Sequence, residues 1–214
     1  MVAVVVQPGV EFCDAAVFPY DHEKAKDLAA SREKNWQGVF EAHSTDYQTP
    51  EALREMVKNH FAILKVGPWL TFAFREVVFA LVMIENEWLA WRQGQTLSGV
   101  REALEEAMLM DPVHWKSYYR GEEAALYFAR KYSDSDRSRY YWPQPKVQEA
   151  LQKLVRNLTA SPAPLSLLGQ CLPKQWGEIR AGRLRNDPVQ LIHNKILEVI
   201  DNYASACGMK ADGK

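Results

Sequence analysis

A group of polar side chains follows the second predicted strand of this chain, and their types are those that bind metals, move protons or hold phosphates. The group comprises Glu41, His43, Ser44, Thr45 and Asp46. Loops at the carboxyl ends of parallel strands converge, and active sites of α/β proteins form there. His43 is therefore a candidate metal ligand or proton carrier, and Glu41 and Asp46 are candidate catalytic carboxylates.

The metal-binding interpretation of His43 has a structural alternative. A zinc site needs at least three ligands, and the neighbouring strand ends carry Gln7, Glu11 and Lys65 without a second histidine. In the alternative, His43 and Asp46 hydrogen-bond the backbone of their own loop. The spacing by itself favours the structural interpretation, and both stay open.

A second candidate site follows the third predicted strand. Lys65 ends that strand beside Gly67, where a lysine can form a Schiff base, hold a phosphate or pair with a carboxylate. The backbone amides at the start of the next helix can cradle an anion. The predicted phosphate-binding residues are Ser44, Thr45, Gly67 and Thr71, and Lys65 joins the candidate catalytic set.

These candidates depend on elements that the hydrophobic pattern places in the first third of the chain. Thr49 is a typical N-cap residue, and Pro50 after it is typical of a first helical position. Strand and helix signals alternate with short connections, as in parallel βαβ units. The first strand is almost wholly β-branched, so we expect it to be buried on both faces and the chain to be part of a longer barrel. Strands are predicted at 2–6, 38–43 and 60–66, and helices at 23–34 and from Pro50.

The rest of the chain carries helical signals only. Between 69 and 91, apolar residues recur at three-four spacing, and further large apolar residues lie outside that stripe. Such a helix needs cover from more than one side, which favours a partner protein. The predicted partner interface is Phe72, Phe79, Met83 and Trp88. Further helices are predicted at 98–110, 121–132, 147–158 and 188–206.

Composition excludes several classes of protein. The 214 residues are 47% apolar and 25% charged with a net charge of -1, which favours a soluble globular protein without affinity for nucleic acid or membrane. The longest uninterrupted apolar run, 77–84, is far shorter than the roughly 20 residues of a membrane-spanning helix. Three widely spaced cysteines are typical of reduced thiols in the cytoplasm. The sequence lacks the phosphate-binding loop of P-loop kinases and the dinucleotide-binding glycine motif.

Five segments, in order along the chain, resemble one known family. They lie at 4–12, 39–49, 63–68, 70–76 and 135–143, and the similarity extends to about Gly208. The family is the GatZ/KbaZ-type subunit of class II D-tagatose-1,6-bisphosphate aldolase. Its members resemble (β/α)₈ barrels of roughly twice this length. The resemblance therefore implies an α/β fold, the C-terminal part of a TIM-type barrel with about three parallel strands and their helices, followed by an all-helical C-terminal extension. The implied domains are the barrel part at 1–95, the extension at 96–208 and a disordered tail at 209–214.

The same resemblance implies a non-catalytic role. Such subunits stabilise or activate a separate zinc-dependent catalytic aldolase subunit in galactitol and N-acetylgalactosamine catabolism. Zinc then belongs to the partner, and this chain needs no cofactor of its own. His43 lies where a zinc histidine of the catalytic relatives is expected, but Gln7-Pro8 offers no second histidine. The last strand, ending in Lys65-Val66-Gly67-Pro68, lacks their substrate-holding asparagine.

Two alternatives to the helper subunit stay open. In one, the chain is a vestigial aldolase or a tagatose-6-phosphate-kinase-like enzyme that acts alone through Glu41, His43, Asp46 and Lys65. In the other, it binds a sugar bisphosphate without chemistry, through the loops after strands two and three. Self-association into a homo-oligomer is compatible with each of these.

Overall fold

The chain forms an α/β protein with two compact units. In this computed structural model, residues 3–35 and 38–209 are described. The sheet unit comprises Met1–Leu70 and Glu198–Lys214, and the helical unit comprises Thr71–Leu197. These divisions, at 70/71 and 197/198, fall inside two long helices, and the predicted domain boundary at 95/96 stays a prediction. Residues 210–214 of the predicted tail lie outside the described residues.

The sheet unit is built from short alternating elements. Its middle strand lies between the two others, and both pairings are parallel, which confirms the βαβ pattern read from the sequence. A short β-hairpin, whose two antiparallel strands have two residues each, follows the first strand. The sequence analysis did not predict it. The elements are β1 (Ala3–Val6), β2 (Glu11–Phe12), β3 (Val17–Phe18), α1 (His22–Asn35), β4 (Val39–Ala42), α2 (Pro50–Lys58) and β5 (Phe61–Leu64).

The parallel sheet is covered on one face. Phe40 and Ala42 of β4 point into a small apolar core with Leu53 and Met56 of α2. On the opposite face, the side chains in register across the three strands are half-buried or exposed. The expectation that the first strand is buried on both faces is therefore wrong for the described residues. The three residues in register on that face are Val5, Glu41 and Ile63.

Helix α2 begins as its sequence predicts. Thr49 has extended backbone angles, and its hydroxyl oxygen accepts a hydrogen bond from the Ala52 amide at 3.1 Å. Pro50 occupies the first turn, where its missing N–H leaves no intrahelical bond unmade. The helix ends at Lys58, and His60 takes a left-handed φ of 71° before β5 begins. The N-cap at Thr49 and the left-handed residue His60 thus set the bounds of the helix that connects β4 and β5.

The remaining elements are helical. Two of them, α7 and α8, were not predicted, because helices of seven and eight residues are too short to show a clear periodicity. The described residues contain no helix that is both long enough and apolar enough to cross a membrane. The helices are α3 (Pro68–Leu89), α4 (Val100–Met110), α5 (Glu123–Tyr132), α6 (Pro145–Ala160), α7 (Leu165–Cys171), α8 (Pro173–Arg180) and α9 (Pro188–Ala206).

Helix α3 is the central helix of the helical unit's core. Val77, Val78, Leu81 and Ile84 are all buried there, on more than one side of the helix, among side chains that include those of α4 and α6. Much of the cover that the sequence pattern assigned to a partner protein is therefore supplied by the chain itself.

The predicted partner interface on α3 needs correction. Phe79 is buried in the core of the helical unit, with its ring 6.1 Å from that of Tyr132, so it cannot meet a partner. Phe72 and Trp88 are half-buried, and the guanidinium of Arg92 lies 4.0 Å from the Trp88 ring centroid. Met83 is exposed. The four residues therefore do not form one exposed surface.

Candidate functional site

A small cavity of about 190 Å³ opens at the carboxyl ends of β4 and β5. Five of the residues that the sequence analysis selected lie on its wall. Parallel strands bring these loops to one edge, as expected for an α/β protein. Phe12, from the unpredicted hairpin, is an additional wall residue. The cavity is lined by Phe12, His43, Ser44, Asp46, Lys65, Gly67 and Pro68.

His43 and Glu41 form a contacting pair beside this cavity. They are two residues apart at the end of β4, so their side chains leave the strand on the same face. The His43 Nε2 atom lies 2.8 Å from Glu41 Oε1, and both side chains are partly exposed. A carboxylate in this position orients the imidazole and fixes which nitrogen carries the proton. The pair can therefore hold or transfer a proton at the cavity.

Asp46 is buried, and it holds the start of α3. Its Oδ1 atom accepts hydrogen bonds from the backbone amides of Gly67 and Trp69, each at 2.9 Å. Amides at a helix N-terminus attract anions, and here the chain supplies its own carboxylate. The amide of Gly67 is therefore not available to a phosphate, and the predicted anion cradle at this residue is wrong.

Thr45 is also committed to the chain's own structure. It is fully buried, and its hydroxyl donates to the carbonyl oxygen of Lys65 at 2.9 Å. The hydroxyl of Tyr203, in α9, donates to the Thr45 carbonyl oxygen at 2.9 Å. Thr45 thus links the loop after β4 to the end of β5 and to α9. Because Thr45 is fully buried, it cannot donate a hydrogen bond to a phosphate in the cavity, although the sequence analysis had predicted one.

Thr71 belongs to the helical unit. Its hydroxyl donates to Asp136 Oδ2 at 2.5 Å, and the other oxygen of that carboxylate accepts from Arg75 Nε at 2.8 Å. The hydroxyl is held in this buried ionic cluster, so the prediction that Thr71 assists phosphate binding is not supported. Of the predicted phosphate-binding residues, Ser44 lines the cavity, and its hydroxyl makes no hydrogen bond within residues 3–35 and 38–209.

Sequence reasoning missed an aromatic series that braces the site. The Tyr47 ring lies between those of Phe12 and Trp69, with centroid distances of 5.5 and 5.6 Å. The ring of Tyr203 follows that of Trp69 at 6.0 Å. Tyr203 comes from the last helix, and no local pattern connects it with the loop after β4. A prediction of this contact would have needed the tertiary fold.

The prediction that His43 binds a metal is supported by one nearby carboxylate, that of Glu41. Among residues 3–35 and 38–209, no group of three or more His, Cys, Asp or Glu side chains is placed to hold a metal ion. Gln7 and Glu11, the neighbouring strand-end residues, contact each other through Nε2 and Oε2 at 3.3 Å.

Comparison with known proteins identifies the family. Residues 1–208 match the family described as D-tagatose-1,6-bisphosphate aldolase subunit GatZ/KbaZ-like. This chain belongs to the GatZ/KbaZ-like family. The crystal structure of a probable tagatose 6 phosphate kinase from Sinorhizobium meliloti 1021 is similar, with 40% sequence identity and a TM-score of 0.90. The match covers 97% of the GatZ/KbaZ-like chain and 53% of that protein, so the chain spans about half the length of this relative.

Replacing Asp46 by alanine should destabilise the GatZ/KbaZ-like chain. Two backbone amides would lose a charged acceptor, and we expect the free energy of unfolding to fall by about 3 kcal/mol, measured by urea denaturation. Asp46→Asn keeps one acceptor oxygen and should recover part of the loss. Ser44→Ala, in the same loop, is the matched control. Equal stability of Asp46→Ala and the control would contradict this role.

The free energy of unfolding should decrease at alkaline pH because the Tyr203 phenol is buried. Burial raises the pKa of Tyr203 above its usual value. The folded state therefore keeps the phenolic proton after the unfolded state has lost it, so this contribution is complete below about pH 10 and declines above it. We expect the free energy of unfolding of wild type to fall by about 1 kcal/mol per pH unit more than that of Tyr203→Phe above pH 10.

The measurement is urea denaturation between pH 8 and 11.5. Tyr118→Phe, at an exposed tyrosine, is the control and should follow the wild-type curve. Parallel curves for wild type and Tyr203→Phe would show that the buried phenol does not govern alkaline stability.

Proposed function

We propose that this chain is part of a non-catalytic subunit that stabilises or activates the zinc-dependent catalytic subunit of D-tagatose-1,6-bisphosphate aldolase. The proposal places it in the cytoplasm, in galactitol and N-acetylgalactosamine catabolism. Zinc belongs to the partner, which cleaves the sugar bisphosphate into two triose phosphates. Membership of the GatZ/KbaZ-like family over residues 1–208 supports this assignment.

The observation that supports the helper role is that polar groups at the strand ends form hydrogen bonds within the chain. Asp46 accepts two backbone amides, and Thr45 bonds the end of β5 and receives the Tyr203 hydroxyl. These groups hold loops in place, and a rigid strand-end region suits a chain that supports another protein's fold. Catalytic loops generally leave such groups directed at the substrate.

The proposal extends to the fold of the longer protein. The parallel strands β1, β4 and β5 would be neighbouring strands of a (β/α)₈ barrel, with α4 to α9 as the helical extension. Val5 and Ile63 are exposed on the uncovered face, and side chains on the inner face of such a barrel pack against those of other strands. The relative of about twice this length supports the idea that further strands cover this face.

Aldolase activity provides the test of the helper role. The purified catalytic subunit is assayed for tagatose 1,6-bisphosphate cleavage, alone and with an equimolar amount of this chain. We expect co-purification and a several-fold longer half-life of activity at elevated temperature, because a bound partner stabilises only the folded state. Serum albumin at equal mass controls for non-specific protection. An unchanged rate and half-life would refute the helper role.

A second function, binding of a sugar bisphosphate, has its own supporting observation. The cavity is lined by His43, which contacts Glu41, and by Ser44 and the exposed Lys65. An ammonium group and a hydroxyl suit a phosphate, and an imidazole–carboxylate pair suits proton transfer. At about 190 Å³ the cavity is smaller than most ligand pockets, so it fits one end of such a substrate.

Calorimetry with tagatose and fructose 1,6-bisphosphates tests this second function. We expect weak binding, and we expect Lys65→Met to lower the affinity about tenfold, because the Lys65 ammonium lines the cavity and can pair with a phosphate. Lys58→Met, at an exposed lysine of α2, should bind as wild type does. Cleavage or phosphoryl transfer that His43→Ala abolishes would extend the function to catalysis. The absence of a heat signal with both sugars would exclude this site.

A further inference from the structure

Arg137 is a half-buried cation for which the described part of the chain provides no carboxylate partner. It is the first residue of a short 3₁₀ helix, Arg137–Tyr140, in the helical unit. Its guanidinium carbon lies 3.2 Å from the centroid of the Tyr118 ring. Within residues 3–35 and 38–209, no ion pair or hydrogen bond holds this guanidinium, and its buried Nε atom has no acceptor. A guanidinium carries five N–H donors and a permanent charge, so an external acceptor can complete its contacts.

Fully buried arginines of the same unit have the partner that this cation lacks. Arg75 pairs with Asp136, and Arg130 pairs with Glu105. A cation that is removed from water is costly unless an anion and hydrogen bonds replace that water. The Tyr118 ring replaces part of it through cation–π attraction. An oxyanion is the group that would supply the rest.

Neighbouring contacts hold the backbone of Arg137 in place. Its amide donates to the Tyr119 hydroxyl oxygen at 3.1 Å. The preceding residue, Asp136, has a left-handed φ of 43°, and its carboxylate accepts hydrogen bonds from Thr71 and Arg75. Non-glycine residues keep this strained conformation only where the surrounding structure holds them. The guanidinium therefore extends from a rigid frame, which reduces the entropy lost when a ligand binds.

The ionisable groups around this site favour an anion. They lie in the segments 111–122 and 133–141, which a pair of stacked aromatic rings joins. The two segments contain four lysine or arginine residues and four acidic residues. One of the acidic residues, Asp136, pairs with Arg75, which lies outside both segments. One positive charge of the region is therefore left unbalanced.

Arg139 adds to the preference for a doubly charged anion. Within the described residues, its guanidinium donates to backbone carbonyl oxygens and to the Tyr140 hydroxyl, and to no carboxylate. A 3₁₀ helix rises about 2 Å per residue, so the backbones of Arg137 and Arg139 are closer than the Debye length of about 10 Å. Two such charges suit a phosphate monoester, which carries about −1.5 to −2 at pH 7. A guanidinium fork also fits two phosphate oxygens at once.

We propose that Arg137 is the centre of a binding site for the phosphate group of a small phosphate monoester. Its guanidinium donates two parallel hydrogen bonds to phosphate oxygens, and Arg139 adds attraction at longer range. The inference goes beyond the proposed helper function. It also differs from sugar-bisphosphate binding at the strand-end cavity, because it uses none of the residues that line that cavity.

Calorimetry with inorganic phosphate, on the full chain at constant ionic strength, tests the site. The parent for all variants is Lys65→Met, so that binding at the strand-end cavity does not contribute. We expect a millimolar Kd, which Arg137→Gln should raise at least tenfold. Arg137→Lys keeps the charge but loses the fork, so its Kd should be intermediate. Arg156→Gln, at an exposed arginine of α6, should bind as the parent does.

Nuclear magnetic resonance of the arginine side chains locates the bound phosphate. The Arg137 Nε–H signal, identified by its loss in Arg137→Lys, should shift as phosphate is added and saturate at the calorimetric Kd. Sulfate should compete for the site and acetate should not, because the site requires a doubly charged anion. Thermal unfolding confirms that each variant is folded.

Three results would overturn the proposal. The first is no phosphate binding by the parent, and the second is an unchanged Kd in Arg137→Gln. The third is an Arg137 signal that responds equally to phosphate, acetate and chloride, which would show non-specific ion screening. Phosphate binding that depends on Arg137, in a chain that does not bind the catalytic aldolase subunit, would support this site and refute the helper function alone.

Discussion

The carboxylate of Asp46 is the group on which the strand-end region depends. By accepting the amides of Gly67 and Trp69, it ties the loop after β4 to the first turn of α3. A helix N-terminus in an α/β protein is a ready anion site, and here a side chain of the protein fills it. The Thr45 and Tyr203 hydroxyls add bonds across the same loops. Among the described residues, the polar side chains that line the cavity outside this network are those of His43, Ser44 and Lys65.

Buried polar groups of the helical unit likewise form hydrogen bonds and ion pairs with other groups of that unit. Arg75 pairs with Asp136, and Glu85 accepts the Ser98 amide and the Asn157 side-chain amide. Buried charges are tolerated when each is paired and hydrogen-bonded. Helix α3 can then be apolar on several sides, because the unit's own helices surround it. In α5, Arg130 and Lys131 are buried in the same way and are paired with Glu105.

The strand-end region keeps side chains of catalytic type, but most of them maintain loop geometry. The proposed helper role needs a rigid frame of this kind. The helical unit exposes several apolar side chains, among them Leu109 and Met110 of α4. On the uncovered face of the sheet, Val5 and Ile63 are exposed.

The sequence by itself determined the features that depend on near neighbours in the chain. Apolar runs gave the three parallel strands, Thr49 and Pro50 gave the start of α2, and the ordered motifs gave the family. It also brought His43, Ser44, Asp46 and Lys65 to one edge, because parallel strands must end together.

Only the tertiary structure decided which of these groups are available. The partner of Asp46 lies 21 residues away, that of Thr71 lies 65 away and that of Thr45 lies 158 away. Residue type and spacing specify what a side chain is able to bind. Its burial and its existing hydrogen bonds specify whether it remains available to bind a ligand. Those depend on contacts between distant segments, which no local pattern encodes. The same reason explains why the apolar helix α3 is covered by other helices of its own unit.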